Sequence, residues 1–392
     1  MNGLSFDNIE NAFAYKSDSE IKKAYWLFKS ISIPAVVKLG PAFTETALKL
    51  HLPIKWAVKS TIFSHFCGGE NIEECLKTID NLAKYNVGSI LDYSVEGKEE
   101  ESEFEHACEE IQSTVKRAKG DPKIPFSVFK VTGMARFALL EKWSAGTSLT
   151  ATEQEEANRI TKRIDTICSL AHQLGVRVFI DAEESWIQPA IDHLANEMMM
   201  KYNKERAIIY NTLQLYRHDR YQFLKDSHQH ALSNNYFLGL KLVRGAYMEK
   251  ERERAKNMGY PSPIQPDKSA ADKDYDKSLE YCVEHIERIA ICAGTHNAES
   301  SLFLTELMQK KGISNSDERI FFSQLLGMSD HISFNLAKAG YKVAKYVPYG
   351  PVLSVLPYLT RRAQENSSMA GQMGRELKLI IDEKKRRAAL SN

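Results

Sequence analysis

VGSILDYS, residues 87–94, opens a pattern that the chain then repeats: a short run of β-branched and apolar residues, followed by a longer stretch with apolar positions at helical spacing. The later runs are FSVFKVT (126–132), VRVFIDAE (176–183), AIIYNTLQ (207–214), FLGLKLVRG (237–245), RIAICAGTH (288–296), RIFFSQL (319–325) and YKVAKYVP (341–348). Amphipathic stretches separate them at 101–119, 153–174, 189–204, 220–234, 275–286, 298–311 and 329–339. About eight strand–helix units is the number that closes a (βα)8 barrel. An open doubly wound sheet would be favoured by a glycine-rich dinucleotide turn after the first strand, and none is present.

Outward from the repeat, residues 1–85 read as an N-terminal helical arm. Ile21, Tyr25 and Phe28 share one stripe, as do Ile72, Leu76, Ile79 and Leu82, and KLGPAF and CGGEN break the arm into loops. It shows no chemistry, and His51 and His65 read as structural. The catalytic barrel is expected over 86–380, with a basic tail over 381–392. That tail, containing DEKKRRAAL, fits either a helix end complementing its dipole or a weak contact with anionic lipid.

With 52 basic and 51 acidic residues the chain carries no nucleic-acid footprint. Its six cysteines show no CxxC pair, and they read as reduced core thiols of a cytoplasmic protein. No apolar run approaches the roughly 20 residues of a membrane span. Any meeting with the inner membrane is expected to be peripheral.

In a barrel the polar residues at strand C-termini carry most weight. Here they are Asp92, Lys130, Asp181 with Glu183, Gln214, Lys241 with Arg244, Thr295 with His296 and Asn297, Gln324, and Tyr346. Beyond the last strand, Tyr358, Arg361, Arg362 and Glu365 fall at i, i+3, i+4 and i+7, one face of a helix. Taken singly, each has a bland reading as a barrel ion pair or a solvated charge. Jointly the cations outnumber the acids, and such a rim suits a carboxylate or phosphate. Nucleophile and metal signatures such as GxSxG and HExxH are absent. A redox reaction with an organic cofactor fits this set, and a Schiff-base lyase using Lys130 or Lys241, or a non-catalytic metabolite-binding barrel, are the alternatives.

KLVRGAYMEKER (241–252), IDAEE (180–184), GTHN (294–297), QLLGMSD (324–330), YVPYGPV (346–352) and PYLTRRAQEN (357–366) resemble the proline dehydrogenase family, in order, from about 130 to 377. The combination of LVRGAY with YLTRRAQEN carries the specificity. The resemblance implies a distorted (βα)8 barrel whose last helix lies over the mouth, and a non-covalent FAD. It implies oxidation of L-proline to 1-pyrroline-5-carboxylate, hydride passing to flavin N5 and electrons on to a quinone, with a pyrroline-5-carboxylate dehydrogenase downstream.

By motif, Arg361 and Arg362 would clamp the carboxylate, assisted by Lys130, with Asp181 pairing in the same pocket. Tyr247, Leu325 and Tyr346 would pack around the ring. Gln214, Lys241, Val243, Arg244, Gly245, Thr295, His296, Asn297, Gln324 and Glu365 would line the cofactor. Some bacterial members read RLVKGAYW where this chain reads KLVRGAYM, a swap of cations closer to the mitochondrial branch. Hydroxyproline dehydrogenase shares the motifs, and Tyr346 over the ring favours proline. No rim residue is expected to act as a base with a neutral pKa.

Overall fold

The computed structural model describes residues 4–33, 55–95, 99–368 and 370–390. The KLGPAF loop and His51 lie outside the described residues. Eight strands hydrogen-bond in sequence order and close on themselves: β1 Val87–Tyr93, β2 Phe126–Lys130, β3 Arg177–Asp181, β4 Ile209–Gln214, β5 Leu238–Val243, β6 Ile289–Gly294, β7 Ile320–Leu325 and β8 Val343–Tyr349. This is the expected closed parallel barrel. Burial on both faces explains why the strands read as near-continuous apolar runs rather than alternating ones. Every residue of β4 and of β8 is buried.

Besides short helical turns over 55–66 and Val131–Gly133, the helices are α1 Ile9–Phe13, α2 Asp18–Ile31, α3 Ile72–Ala83, α4 Glu101–Ala118, α5 Phe137–Ser144, α6 Ala151–Leu174, α7 Gln188–Tyr202, α8 Arg220–Ser233, α9 Met248–Met258, α10 Lys268–Glu284, α11 Ala298–Lys310, α12 Asp330–Lys338, α13 Leu356–Ser368 and α14 Ala370–Leu390. Local chemistry sets their ends. Ser17 with Glu20 and Thr150 with Glu153 form capping boxes at α2 and α6, and Gly175 closes α6 in the left-handed region. The sequence reading missed α5 and α9: α9 is so polar that it offers little periodicity, and α5 lasts only two turns. The helix bearing the arginine pair begins at Leu356, after a turn in which Leu353 is exposed, and α14 follows it.

The chain divides into two compact units. One contains Met1–Glu96, Gln324–Ala339 and Lys345–Asn392, and the other Gly97–Ser323 with Gly340–Ala344. In the second, Phe126, Phe179, Tyr210 and Phe321 stack or meet edge to face at 4.3 to 5.5 Å, filling the barrel toward its strand N-termini. Gly239 permits this, since a Cβ there would lie 2.4 Å from the Ile209 carbonyl and 2.9 Å from the Tyr210 ring. In the first unit, Phe13, Ile21, Phe28 and Phe66 share one core with Val355, Tyr358 and Leu359. The N-terminal helices therefore pack in the same core as the helix carrying Arg361 and Arg362.

Candidate active site

Parallel register builds the charged centre of the larger unit. It sets Lys130, the last residue of β2, opposite Asp181, the last of β3. The Lys130 ammonium lies 3.5 Å from one Asp181 oxygen, while Lys241 of β5 donates to the other. Asp181 and Lys241 are buried. Burial pushes the Asp181 carboxyl up, but the two ammonium groups outweigh it and hold the group below the usual carboxylate range. One buried carboxylate thus serves two cations, and this cluster is net positive.

Glu183, two residues past the strand, accepts the Thr132 amide at 3.0 Å and the Thr132 hydroxyl. Burial pushes its carboxyl up to about 7 despite those donors. Glu183 thus carries a neutral-range carboxyl because it is buried, which one sequence run cannot disclose. Gln214, the last residue of β4, donates to the Glu183 carbonyl at 2.5 Å.

Around β5 and β6 the donors converge. Arg244, just past β5, donates to Asp272 at 2.6 Å, Thr295 at 2.7 Å and Ser300 at 2.9 Å, and lies 4.3 Å over the Tyr275 ring. Asn297 caps α11, accepting the amides of Glu299 at 2.9 Å and Ser300 at 3.4 Å, and its own amide donates to Thr295 at 3.0 Å. His296 lies between the two. A guanidinium beside the N-terminus of a 13-residue helix, with two hydroxyls, is donor chemistry suited to an anion. Val243 ends β5 and Gly245 follows at φ 137°, where a Cβ would stand 2.4 Å from the Tyr216 ring. Only glycine passes that ring without displacing it. Tyr247 precedes α9, whose buried Glu251 accepts the Ser185 amide and hydroxyl, both at 2.6 Å.

In the smaller unit, Arg362 donates to Glu365 at 2.5 Å, and its guanidinium lies 5.1 Å over the Tyr358 ring. Arg361 precedes it on α13, so the shared helix face is realised. Burial pushes the Glu365 carboxyl up, against the pull of Arg362 and Arg361. Gln324 and Leu325 end β7, and Gln324 accepts the Ser333 hydroxyl at 2.7 Å. Tyr346 of β8 is buried and its carbonyl accepts the Leu326 amide at 2.9 Å. Asp92 is buried on β1 and accepts the Ser94 hydroxyl at 2.6 Å.

His228 is buried and meets the Tyr281 hydroxyl at 2.9 Å, whereas His230 is exposed and meets the Tyr236 hydroxyl at 3.0 Å. A tyrosine partner on another element is invisible to helix polarity. The partners Thr132, Asp272 and Ser300 also went unread, since nothing in a single sequence marks a helix residue as facing a strand end.

A sequence profile of the family described as proline dehydrogenase matches residues 75–375. The mitochondrial proline dehydrogenase 1 of Dictyostelium discoideum is 33% identical, over 98% of this chain and 75% of that protein. The hydroxyproline dehydrogenase of Xenopus laevis is 31% identical, over 98% of this chain and 90% of its own length. Several mitochondrial relatives are longer, and this chain spans 36 to 41% of them. The crystal structure of proline utilization A from Bdellovibrio bacteriovorus superposes with a TM-score of 0.73 at 20% identity, covering 94% of this chain and 40% of that one. That likeness concerns the fold.

The cytoplasmic placement expected from the sequence is corrected by these names, because the Dictyostelium protein and further matched proline dehydrogenases are called mitochondrial. No described helix is long and apolar enough to cross a membrane. With a closed eight-stranded parallel barrel, a profile match over most of the sequence and a relative 33% identical across 98% of its residues, this chain belongs to the proline dehydrogenase family.

Proposed function

We propose that the protein oxidises L-proline to 1-pyrroline-5-carboxylate. The observation that carries this reading is the Lys130–Asp181–Lys241 cluster, two cations on one buried carboxylate, with Lys130 and Asp181 at adjoining strand ends. A net positive, water-poor pocket attracts a carboxylate substrate and resists an unpaired cation. Arg361 and Arg362 hold the proline carboxylate, a task for which the planar fork of arginine is suited. Lys130 adds charge, and Asp181 keeps both ammonium groups in place. Tyr247, Leu325 and Tyr346 pack on the ring and exclude water from it.

The residues fit a flavin nucleotide: Arg244 and Thr295, beside the positive dipole end of α11, suit a pyrophosphate, and the cramped Gly245 brings backbone close. His296 and Asn297 belong to that end, Glu365 to the ribityl or ribose hydroxyls, and Gln214, Lys241, Val243 and Gln324 to the ring system. FAD, when bound, supplies at N5 the acceptor for the hydride leaving the ring carbon beside nitrogen, and a quinone takes the electrons onward. The amine proton must leave first. Glu183, at about 7, is suited to hold it near neutral pH, directly or through water.

The visible spectrum of the purified protein tests the reading. A flavin spectrum bleached by anaerobic L-proline is expected. A colourless preparation, or a flavin indifferent to proline, removes it. The Xenopus relative's name motivates one control, trans-4-hydroxy-L-proline, which should bleach more slowly because buried Tyr346 leaves little room for a 4-hydroxyl.

A further inference from the structure

The turn that follows β7 is tied down by a set of buried charges that the proposed reaction leaves unused. Lys345, between the β8 residues Ala344 and Tyr346, has no exposed surface. Its ammonium donates to the carbonyls of Leu325, at 3.3 Å, and Met328, and lies 2.9 Å from one oxygen of Asp330. The other Asp330 oxygen accepts the Tyr15 hydroxyl at 2.7 Å and the Lys16 ammonium at 2.9 Å. Tyr15 also stacks on Phe334 of α12, with ring centroids 4.4 Å apart. Burial pushes the Asp330 carboxyl up, but Lys16 and Lys345 overcome it and hold the group ionised well below the usual range.

Two features make this more than a stabilising ion pair. Both carbonyls bound by Lys345 belong to the turn that begins at Leu325, and that turn passes through Ser329 in the left-handed region at φ 51°. A serine is held there only by fixed partners, and on the far side the Ser329 amide donates to Glu376 of α14 at 2.9 Å. The ammonium of Lys345 is itself tolerable only while Asp330 faces it. Asp330 in turn divides its charge between that lysine and the pair in the linker between α1 and α2, more than 300 residues earlier in the chain.

We propose that Tyr15 and Lys16 are positioning residues for the substrate ring: acting through Asp330 and Lys345, they fix the Leu325–Ser329 turn and so the spacing of Leu325 and Tyr346. The inference rests on the proline-oxidation reading and gives the N-terminal segment a part in it. A merely structural anchor would lower thermal stability without touching substrate affinity. A positioning role raises the KM for proline more than it lowers kcat, since ring packing is binding made alike in ground and transition states.

The test uses the full-length flavin-loaded protein with Lys16→Met, Lys16→Arg and Tyr15→Phe, recording KM, kcat, flavin content, and hydrogen exchange at the Leu326 and Met328 amides. Lys16→Met is expected to raise KM about tenfold with kcat within about twofold of wild type and flavin retained, and Lys16→Arg to recover most of the loss. Tyr15→Phe, which removes one hydroxyl and keeps the ring stack, should give a smaller rise in KM and covers the case in which Lys16→Met does not fold. An unchanged KM in folded variants, whatever their melting temperature, overturns the proposal. If the wild type does not turn over proline, the functional reading is what has failed. Amide exchange then decides the coupling, faster in Lys16→Met if Lys16 fixes the turn and unchanged if it does not.

Discussion

At the scale of single residues, the chemistry turns on whether a charge has a partner and what shape that partner requires. Arg362 binds Glu365 through one nitrogen and lies over Tyr358, which fixes the plane of its guanidinium. Lysine at this position keeps the charge and loses the fork. Arg362→Lys should therefore raise the proline KM at least about tenfold, in line with the roughly 1.5–3 kcal/mol of a hydrogen bond to a charged group, with less effect on flavin content. An unchanged KM would show that Arg362 does not hold the carboxylate. Lys241 and Lys130 illustrate the opposite dependence: each meets Asp181, so Asp181→Asn removes the carboxylate that the buried Lys241 and the half-buried Lys130 share.

Elements decide where those residues stand. Lys130 meets Asp181 because β2 and β3 pair in parallel with those two residues in register, and a slip of one residue would send one of them to the opposite face. The N-terminus of α11 is set by Asn297, whose side chain takes two amides that would otherwise be open. Asn297→Ala should cost about 1 kcal/mol of stability, the ordinary value of a lost N-cap, and weaken flavin retention because the same turn carries Thr295. Thermal melts with and without added FAD check this: a variant that melts with wild type and keeps its flavin contradicts the role. The C-terminal basic run belongs to α14, where Arg386 and Arg387 bind Glu383, and Arg387 also reaches Asp18 and the Phe13 carbonyl. Its two arginines are thus occupied within the fold, while Lys384 and Lys385 are exposed.

For the whole molecule, two buried carboxyls set the pH response. Glu183 in one unit and Glu376 in the other are both pushed up to about 7 from an ordinary 4.5, each chiefly by burial. The native chain then holds protons that the unfolded chain has released, so stability falls as pH rises from about 4.5 to about 7 and levels off above. The loss is at most about 3 kcal/mol for each group, at about 1.4 kcal/mol per pH unit. Asp181 has the opposite sign, its contribution disappearing in stronger acid. The melting temperature should accordingly be highest in weak acid and decline toward pH 7, and Glu183→Gln with Glu376→Gln should flatten that decline. A wild-type profile flat from pH 5 to pH 7.5 would show that these carboxyls are not raised.

The barrel was legible because its signal is periodic and local: each β-branched run closes within a few residues, and eight of them admit few topologies. Residue types at the strand ends were legible for the same reason, as Lys130, Asp181 and Gln214 show. Partnerships were not. That Lys241 shares Asp181 with Lys130, that Glu183 loses its water, that His228 meets Tyr281, and that Asp330 answers to Tyr15 and Lys16 all depend on contacts between distant segments. Sequence alone determined the order of elements and the chemistry available at their ends. Tertiary structure alone decided which charges are buried and with what partner, because desolvation and Coulomb attraction depend on distances of a few ångströms that chain order does not specify.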